Sequence, residues 1–289
     1  KGRLMLVCLV LLGMASDLVP VPQRQVAIGR TIAGTMAGNL LGASFAGVIG
    51  DLVGWRGVLV VLGALVLAVS IAVGLGFQRG DAIATSRRMK LTDLRRGYRE
   101  IFSNSNARVC YSAVFIEGCC VLGLFPYVAA FLFELGETRL SIAGLVIAGF
   151  AVGGLFYTMT VSRFLALIGV RGMMISGALL VAAQIVAIGL GPDWHIQLLS
   201  FVAMGWGFYM LHGCLQVFAS QLSEQARATA LSLHSFFFYM GQTVGPVAYG
   251  VSLSWVGKFP TLAANAVVIA VLGLVCARLL AGKDGSRAR

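Results

Sequence analysis

One acidic side chain, Glu117, lies inside a long apolar run, among phenylalanine, isoleucine, glycine and cysteine residues. Counted from the start of that run at Val109, it lies about eight residues along, or roughly 12 Å down a helix. A charge at such a place is costly and usually has a function. A carboxyl group there can take up and release a proton. The alternative is a structural hydrogen bond to a neighbouring helix.

A second candidate group recurs at three- to four-residue spacing, so a helix places its members on one face. Its residues are Trp206, Tyr209, His212 and Gln216. A face that is both polar and aromatic suits an amphipathic organic solute, although hydrogen bonding between helices explains it as well. His212 could also relay protons, or be only a satisfied hydrogen-bond donor. Other polar residues inside apolar runs are Asn39, Gln184, His234 and Gln242.

The sequence contains no catalytic constellation. It has no P-loop, and no nucleophile elbow, zinc-protease or kinase signature. The six cysteines all fall in apolar runs without a C-x-x-C pair or a histidine cluster, which is typical of small packing residues. We therefore expect no enzyme activity, no metal and no cofactor.

Composition indicates the solvent around these residues. Of 289 residues, 58% are hydrophobic and only 11% are charged, whereas a soluble domain has about 25% charged residues. Most of the surface must therefore face lipid. The net charge of +11 would suggest nucleic acid in a soluble protein, but the basic residues lie mainly between apolar runs, so membrane topology explains them and we expect no nucleic-acid partner.

A membrane-spanning helix needs about 20 mostly apolar residues. We predict nine spans, of which the first is short: Leu4–Ser16, Val26–Gly50, Gly57–Phe77, Val109–Phe133, Ser141–Val161, Gly172–Leu190, Ile196–Ser220, Ala228–Trp255 and Thr261–Leu280. Within the polar stretch 78–108, Leu91, Leu94, Tyr98 and Ile101 have helical spacing. This pattern predicts either a short helix on anionic lipid or a solvated connector.

The distribution of basic residues orients the chain. The stretch 78–108 holds eight arginine or lysine residues from Arg79 to Arg108, which predicts a cytoplasmic loop. By alternation, Arg24, Arg163, Arg171, Arg227 and the basic tail 281–289 are also cytoplasmic, while Arg56, Arg139 and Lys258 are outside. The same rule places Lys1 and Arg3 outside, so we expect an odd number of preceding spans.

An internal repeat at an offset of 203 residues is the most specific pattern. Arg24 pairs with Arg227 and Gly54 with Gly257. The glycines between them also pair, which predicts close helix packing in two like-oriented halves; the set, with the adjoining proline, is Gly38, Gly42, Gly47, Gly241, Gly245, Pro246 and Gly250. Arg30 pairs with Leu233, so its charge is not required by the shared fold. Snorkelling to the interface explains it; a substrate or gating role is the alternative.

Several motifs resemble those of the major facilitator superfamily (MFS). The segment from Asp17 through Pro20 to Arg24 is similar to its D-x-x-P-x-x-x-R connection, and Gly38 to Gly47 resembles its antiporter motif, with Ala43 in place of the proline. The Gly-Trp-Arg sequence at 54–56 is similar to one that often precedes helix six. Arg163, Gly169 and Arg171 form a degenerate version of a cytoplasmic loop motif.

The resemblance implies an all-α polytopic membrane protein of MFS-type fold, with nine of twelve helices, four to twelve, present. Residues 1–77 would be the remainder of the N-terminal half, preceded by missing helices of the same protein. Residues 78–108 would be the inter-half loop, 109–280 the C-terminal six-helix bundle and 281–289 the tail. Helices seven and ten, which carry Glu117 and His212, line the central cavity in this family.

The function implied is a secondary active transporter of a small organic solute by alternating access. The imperfect antiporter motif favours proton-coupled efflux. Asp17, Arg24, Arg163, Arg171 and Arg227 would form the cytoplasmic gate. We expect a monomer in the bacterial inner membrane with a cytoplasmic C-terminus. The alternatives are a receptor or scaffold with a transporter-like fold, and an intramembrane enzyme.

Overall fold

A computed structural model describes residues 24–78, 91–223 and 225–281. The predicted span Leu4–Ser16, Asp17 and most of the basic tail lie outside the described residues. The helices are α1 (Arg24–Gln78), α2 (Leu91–Ser103), α3 (Ser105–Cys120), α4 (Val128–Glu134), α5 (Leu140–Gly189), α6 (Trp194–Ser220), α7 (Arg227–Val256) and α8 (Lys258–Leu279), with a 3₁₀ helix, Leu122–Tyr127, between α3 and α4. Within these ranges the fold is all-α, as predicted.

Glycine breaks divide the two longest helices. α1 has 55 residues and α5 has 50, and each contains one residue outside helical geometry: Gly54 (φ 72°, ψ 174°) and Gly169 (φ 65°, ψ 178°). Only glycine adopts this region without strain. Each helix therefore contains two predicted spans. Gly257, which pairs with Gly54 in the repeat, has the same backbone geometry (φ 84°, ψ 179°) between α7 and α8.

Five segments are long and apolar enough to cross a membrane within the described part of the chain: Leu41–Ala72, Ser105–Glu134, Leu140–Gly189, Trp194–Ser220 and Lys258–Leu279. The predicted span Ala228–Trp255 forms α7. This helix has 30 residues, which is long enough to cross a membrane, but it is not among the five segments that are also sufficiently apolar. The predicted span Val109–Phe133 is not one continuous α-helix, because the 3₁₀ helix contains Pro126. Proline lacks the N–H group that a continuous α-helix needs.

Glycines set the closest helix contacts. A Cβ atom added at Gly245 would lie 2.5 Å from the Cys119 carbonyl oxygen of α3, and one at Gly118 would lie 2.5 Å from the Phe238 carbonyl oxygen of α7. α3 and α7 therefore touch backbone to backbone. At Gly47, the added atom would lie 2.5 Å from the Leu140 carbonyl oxygen, so α1 packs equally closely on α5. Small residues permit such approaches.

The basic stretch contains the helix α2. Its buried face is formed by Gly97, which lies against Ala226, and by Ile101, which packs with Tyr111, Leu222 and Ala230. The helix is therefore attached to α3 and to the start of α7. Arg95, Arg96 and Arg99 point away from this contact and are exposed.

Candidate functional site

The Glu117 carboxylate lies at the centre of the helical bundle, where its side chain is 1% exposed. Its Oε2 atom is 2.7 Å from Nδ1 of His212 on α6. Its other oxygen, Oε1, has no hydrogen-bond partner among the described residues. The structure thus brings together two residues that are far apart in the sequence, in a buried carboxylate–imidazole pair.

The start of α3 fixes the position of Glu117. Asn104 caps this helix: its Oδ1 accepts from the Asn106 N–H at 3.0 Å, and its amide donates to the Leu222 carbonyl at 3.2 Å. A capping side chain satisfies a helix N–H that otherwise lacks a partner. The second bond ties the start of α3 to the segment that follows α6. Gly118 contacts the α7 backbone, and the preceding residue, Glu117, is buried.

The His212 ring lies among aromatic rings. It stacks on Phe208 of the same helix at 4.9 Å, centroid to centroid, with 15° between the planes. From α7, Phe238 lies at 4.8 Å and His234 at 5.0 Å, the latter edge to face. The His212 side chain is 14% exposed. The imidazole is therefore held in one position, with its Nδ1 directed at Glu117.

The predicted polar–aromatic face of α6 divides into two contact regions. Trp206 donates from Nε1 to the Thr160 hydroxyl of α5 at 3.2 Å, and Tyr209 stacks on Tyr157 of α5 at 6.2 Å. His212 instead faces α3 and α7. Gln216, the last member, is exposed.

The predicted gate residues lie at helix ends, as far as they are described. Asp17 is outside the described residues, and so are the side chains of Arg24 and Arg30. Arg163 and Arg171 are exposed on either side of the Gly169 break. Arg227 is exposed, and its Nε donates to the Ser220 carbonyl at the end of α6 (3.2 Å).

Of the packing glycines, Gly241, Gly245 and Gly250 contact α3 or the 3₁₀ helix. Gly47 contacts α5. Gly38 and Gly42, by contrast, would meet no described atom within 4 Å if they carried a Cβ.

The sequence reasoning missed a contact between α1 and α5 at Asp51. Its Oδ1 and Oδ2 accept from the N–H groups of Leu140 and Ser141, at 2.6 and 2.8 Å. Asp51 lies in the exposed connection 51–56 between two predicted spans. Hydrogen bonds from Ser141, side chain first, lower the pKa of this carboxyl. An acidic residue just before a helix is the sequence signal for such a cap. Here the carboxylate belongs to α1 and the helix that it caps is α5, about 90 residues later in the chain, so the signal is absent from the local sequence.

Beside this contact, Glu137 and Arg139 form a two-pronged ion pair in which the Arg139 side chain is 61% exposed and the Glu137 side chain 14%. Arg139 donates from Nε and from one terminal nitrogen to the two Glu137 oxygens, at 2.8 and 2.6 Å. The hydrogen bond from the Arg139 side chain lowers the pKa of Glu137 to about 2. Within the described ranges, no group of three or more histidine, cysteine or acidic residues is placed to hold a metal.

Closely packed helices, several of them long and apolar enough to cross a membrane, are typical of a helical integral membrane protein. The family model for the Major Facilitator Superfamily matches residues 8–166, more than half of the sequence. The chain belongs to this superfamily of membrane transporters.

The chain is also similar to two individual proteins. The chain is 24% identical over 271 residues to the uncharacterized MFS-type transporter YceJ of Bacillus subtilis (strain 168), with 91% of this chain and 67% of the relative covered. A solved structure of a bacterial homologue of the human lysosomal transporter Spinster, inward-facing and unoccupied, matches with a TM-score of 0.66. It is 17% identical, and the match covers 92% of this chain and 73% of that one. The second likeness supports the fold.

Proposed function

We propose that this chain is a secondary active transporter in which a proton held by the Glu117–His212 pair is coupled to the movement of a small organic solute. The observation that carries the proposal is the 2.7 Å contact between a carboxylate that is 1% exposed and an imidazole nitrogen. Ionisable groups inside a membrane mark proton relays and substrate paths.

The chemistry of the pair supports proton coupling. A buried carboxylate is tolerated when a partner compensates its charge or when it carries a proton. An imidazole ring can both accept and donate a proton, so it can pass one to or from the carboxylate that it contacts. Because Glu117 is on α3 and His212 is on α6, a change of protonation alters the contact between two helices. Both helices belong to the predicted C-terminal six-helix bundle, so the change would alter the packing of one half against the other indirectly, through that bundle.

The solute path follows from the neighbouring part of α6. Trp206 and Tyr209 form an aromatic wall with Tyr157 and Phe164 of α5. On α6, Tyr209 lies about one turn from His212 and Trp206 about two turns from it. Aromatic surface with a few polar groups is typical of sites for organic ligands. We infer an amphipathic organic solute that binds against this wall, with Gln216 and Arg30 as further contacts of the path.

The orientation and gate belong to the same proposal. The end of the bundle that carries α2, Arg163, Arg171 and Arg227 is the cytoplasmic side, and these arginines form the inner gate with Asp17 and Arg24. The tail is then cytoplasmic as well, in a bacterial inner membrane. The antiporter-like glycines from Gly38 to Gly47 favour efflux in exchange for protons. We expect a monomer.

Solute flux into liposomes tests this proposal. The intact natural protein is reconstituted, a pH gradient is imposed, and a panel of organic solutes is screened. Glu117→Gln should abolish gradient-driven flux but leave solute exchange intact, because the amide mimics the protonated acid. Glu134→Gln is the matched control, since Glu134 lies at the exposed end of the same segment and pairs with Lys258.

Flux that is equally gradient-driven in Glu117→Gln would contradict the role of the pair. Solute binding without any flux in the intact protein would favour a receptor over a transporter.

A further inference from the structure

A third ionisable group, His234 of α7, lies next to the Glu117–His212 pair. It is 1% exposed, and its ring centroid is 5.0 Å from that of His212, edge to face. Its Nε2 atom has no hydrogen-bond partner among the described residues. Buried polar atoms are almost always paired, so an unpaired ring nitrogen beside a buried carboxylate–imidazole pair is unusual. Packing alone gives no reason for a histidine here.

The internal repeat supports this reading. His234 pairs with Thr31 at the offset of 203 residues, so the shared fold does not require a histidine at this place in the helix. The residue is therefore a feature of the half that contains Glu117 and His212.

The three groups lie at increasing depth from one end of the bundle. The start of α3, the end of α6 and the start of α7 lie together there, as the bonds from Asn104 to Leu222 and from Arg227 to Ser220 show. Measured along each helix at 1.5 Å per residue, His234 is about 10 Å from that end, His212 about 12 Å and Glu117 about 18 Å. Both histidines thus lie nearer to that end than the Glu117 carboxylate, and His234 is about one residue nearer than His212.

The other titratable groups of the packed helices are weak acids. Tyr111 of α3 donates to the Ala230 carbonyl one turn before His234, and Tyr98 of α2 interacts with Tyr111. Cys110 of α3, Tyr209 and Cys214 of α6, and Cys276 of α8 lie close enough to Glu117 to interact electrostatically. In this described neighbourhood Glu117 is the one carboxylate, so a proton that enters through the histidines can be stored only on the pair.

We propose that His234 is a proton-transfer residue that connects the Glu117–His212 pair to water at the Arg227 end of the bundle. This inference rests on the proposed function and adds the route by which its proton arrives. A proton from water binds one ring nitrogen of His234, and the other ring nitrogen releases its own proton toward His212. Because Nε2 of His234 has no hydrogen-bond partner among the described residues, this step would pass through one bridging water between the edge-to-face rings. His212 then passes its Nδ1 proton to Oε2 of Glu117, so one proton enters and one is stored.

The test compares net flux with exchange in the intact protein in liposomes. Net proton-driven flux requires the pair to gain and lose its proton in each cycle, whereas solute exchange does not. We expect His234→Gln to reduce net flux about 100-fold or more, the usual contribution of a positioned proton-transfer group, and to leave exchange unchanged. The pH dependence of net flux should shift as well.

His195→Gln is the matched control. His195 is on the same helix as His212 but at its opposite end, where its side chain is 69% exposed. This variant should leave both net flux and exchange unchanged. His234→Asn is a second variant of smaller volume, in case the glutamine variant fails to fold.

Equal losses of net flux and exchange in folded His234 variants would mean that the residue is structural, and would overturn the proposal. Unchanged net flux would overturn it too. The proposed function fails separately, when Glu117→Gln retains gradient-driven flux. If Glu117→Gln loses net proton-driven flux and His234→Gln keeps it, the route through His234 is rejected and the role of the pair remains.

Discussion

At the scale of single residues, the account depends on a charge that is compensated by one partner. Glu117 is 1% exposed and contacts His212 through one oxygen. Breaking a buried pair from one side leaves the other group uncompensated, which costs about 3–5 kcal/mol, whereas replacing both groups by apolar residues of similar volume is often neutral. Replacing one member of the pair should therefore lower stability more than replacing both members together.

We expect His212→Phe to destabilise the protein at neutral pH by about 3–5 kcal/mol, because the Glu117 carboxylate then lacks its partner. The double variant Glu117→Leu with His212→Phe should recover most of that loss. Thermal unfolding in detergent measures both. Equal stability of His212→Phe and the wild type would show that the pair carries no buried charge.

The sequence predicted the members of this site but not their pairing. Glu117 was singled out because a carboxyl group in an apolar run is costly, and His212 because it shares a helical face with aromatic residues. Which helices face each other depends on packing between segments about a hundred residues apart along the chain, and one sequence carries no signal for that. His234 looked like any other polar residue in a span until its neighbours were known.

At the scale of helices, glycines determine how closely α3 and α7 approach. A Cβ at Gly245 would lie 2.5 Å from the Cys119 carbonyl and 2.9 Å from the Gly123 Cα. Backbone atoms cannot move aside as a flexible side chain can. The glycine spacing predicted close packing, and in the second copy of the repeat the contacts are backbone to backbone. The interruption at Pro126 was missed, because the surrounding residues are uniformly apolar.

Gly245→Ala should therefore separate α3 from α7 and lower stability by about 1–3 kcal/mol, the usual cost of overpacking. Gly63→Ala is the control, because a Cβ there meets no described atom within 4 Å and the helix gains from the loss of a glycine. Thermal unfolding of the two variants in detergent provides the comparison. A Gly245→Ala variant as stable as Gly63→Ala would contradict the packing argument.

At the scale of the whole molecule, the contact between α1 and α5 joins segments from the two predicted halves. Gly47 and Gly144 bring the backbones together, and Asp51 caps the start of α5 with both oxygens. Alternating access requires the halves to separate at one end while they close at the other. In this structure α1 and α5 are in contact at the Asp51 end.

Asp51→Asn removes the charge and one acceptor from this contact, so we expect the Asp51 end to open. Spin labels at the exposed positions Leu52 and Leu190 should report a longer or broader distance. Asp193→Asn is the matched control, because Asp193 also caps a helix, through His195 and Ile196, but only its own. The same distance in Asp51→Asn and wild type would contradict a role in closure.

The pH dependence of this contact has a defined sign. Hydrogen bonds from Ser141 lower the pKa of Asp51 below its ordinary 3.8, so its stabilising effect is fully present above that value. The effect is lost as the pH falls through the lowered pKa. The label distance in the wild type should therefore remain constant from neutral pH to about 4 and increase only below it.

The resemblance stated from motifs is confirmed at the level of family and fold, since both follow from local sequence and from spans that are strongly apolar. Substrate and direction of transport depend on the shape of a cavity between two halves. The motifs carry little information about that shape, because Trp206, Tyr209 and their partners on α5 meet only in the folded bundle.

The most direct test of proton coupling follows protons and solute together. Liposomes that contain the intact protein and a pH-sensitive dye receive a solute from the panel, with no imposed gradient. Wild-type protein should move protons across the membrane in proportion to the solute, and Glu117→Gln should give no proton signal, although it still exchanges labelled solute when the liposomes are preloaded with unlabelled solute. Solute movement without proton movement in the wild type, or an undiminished proton signal in Glu117→Gln, would contradict the account.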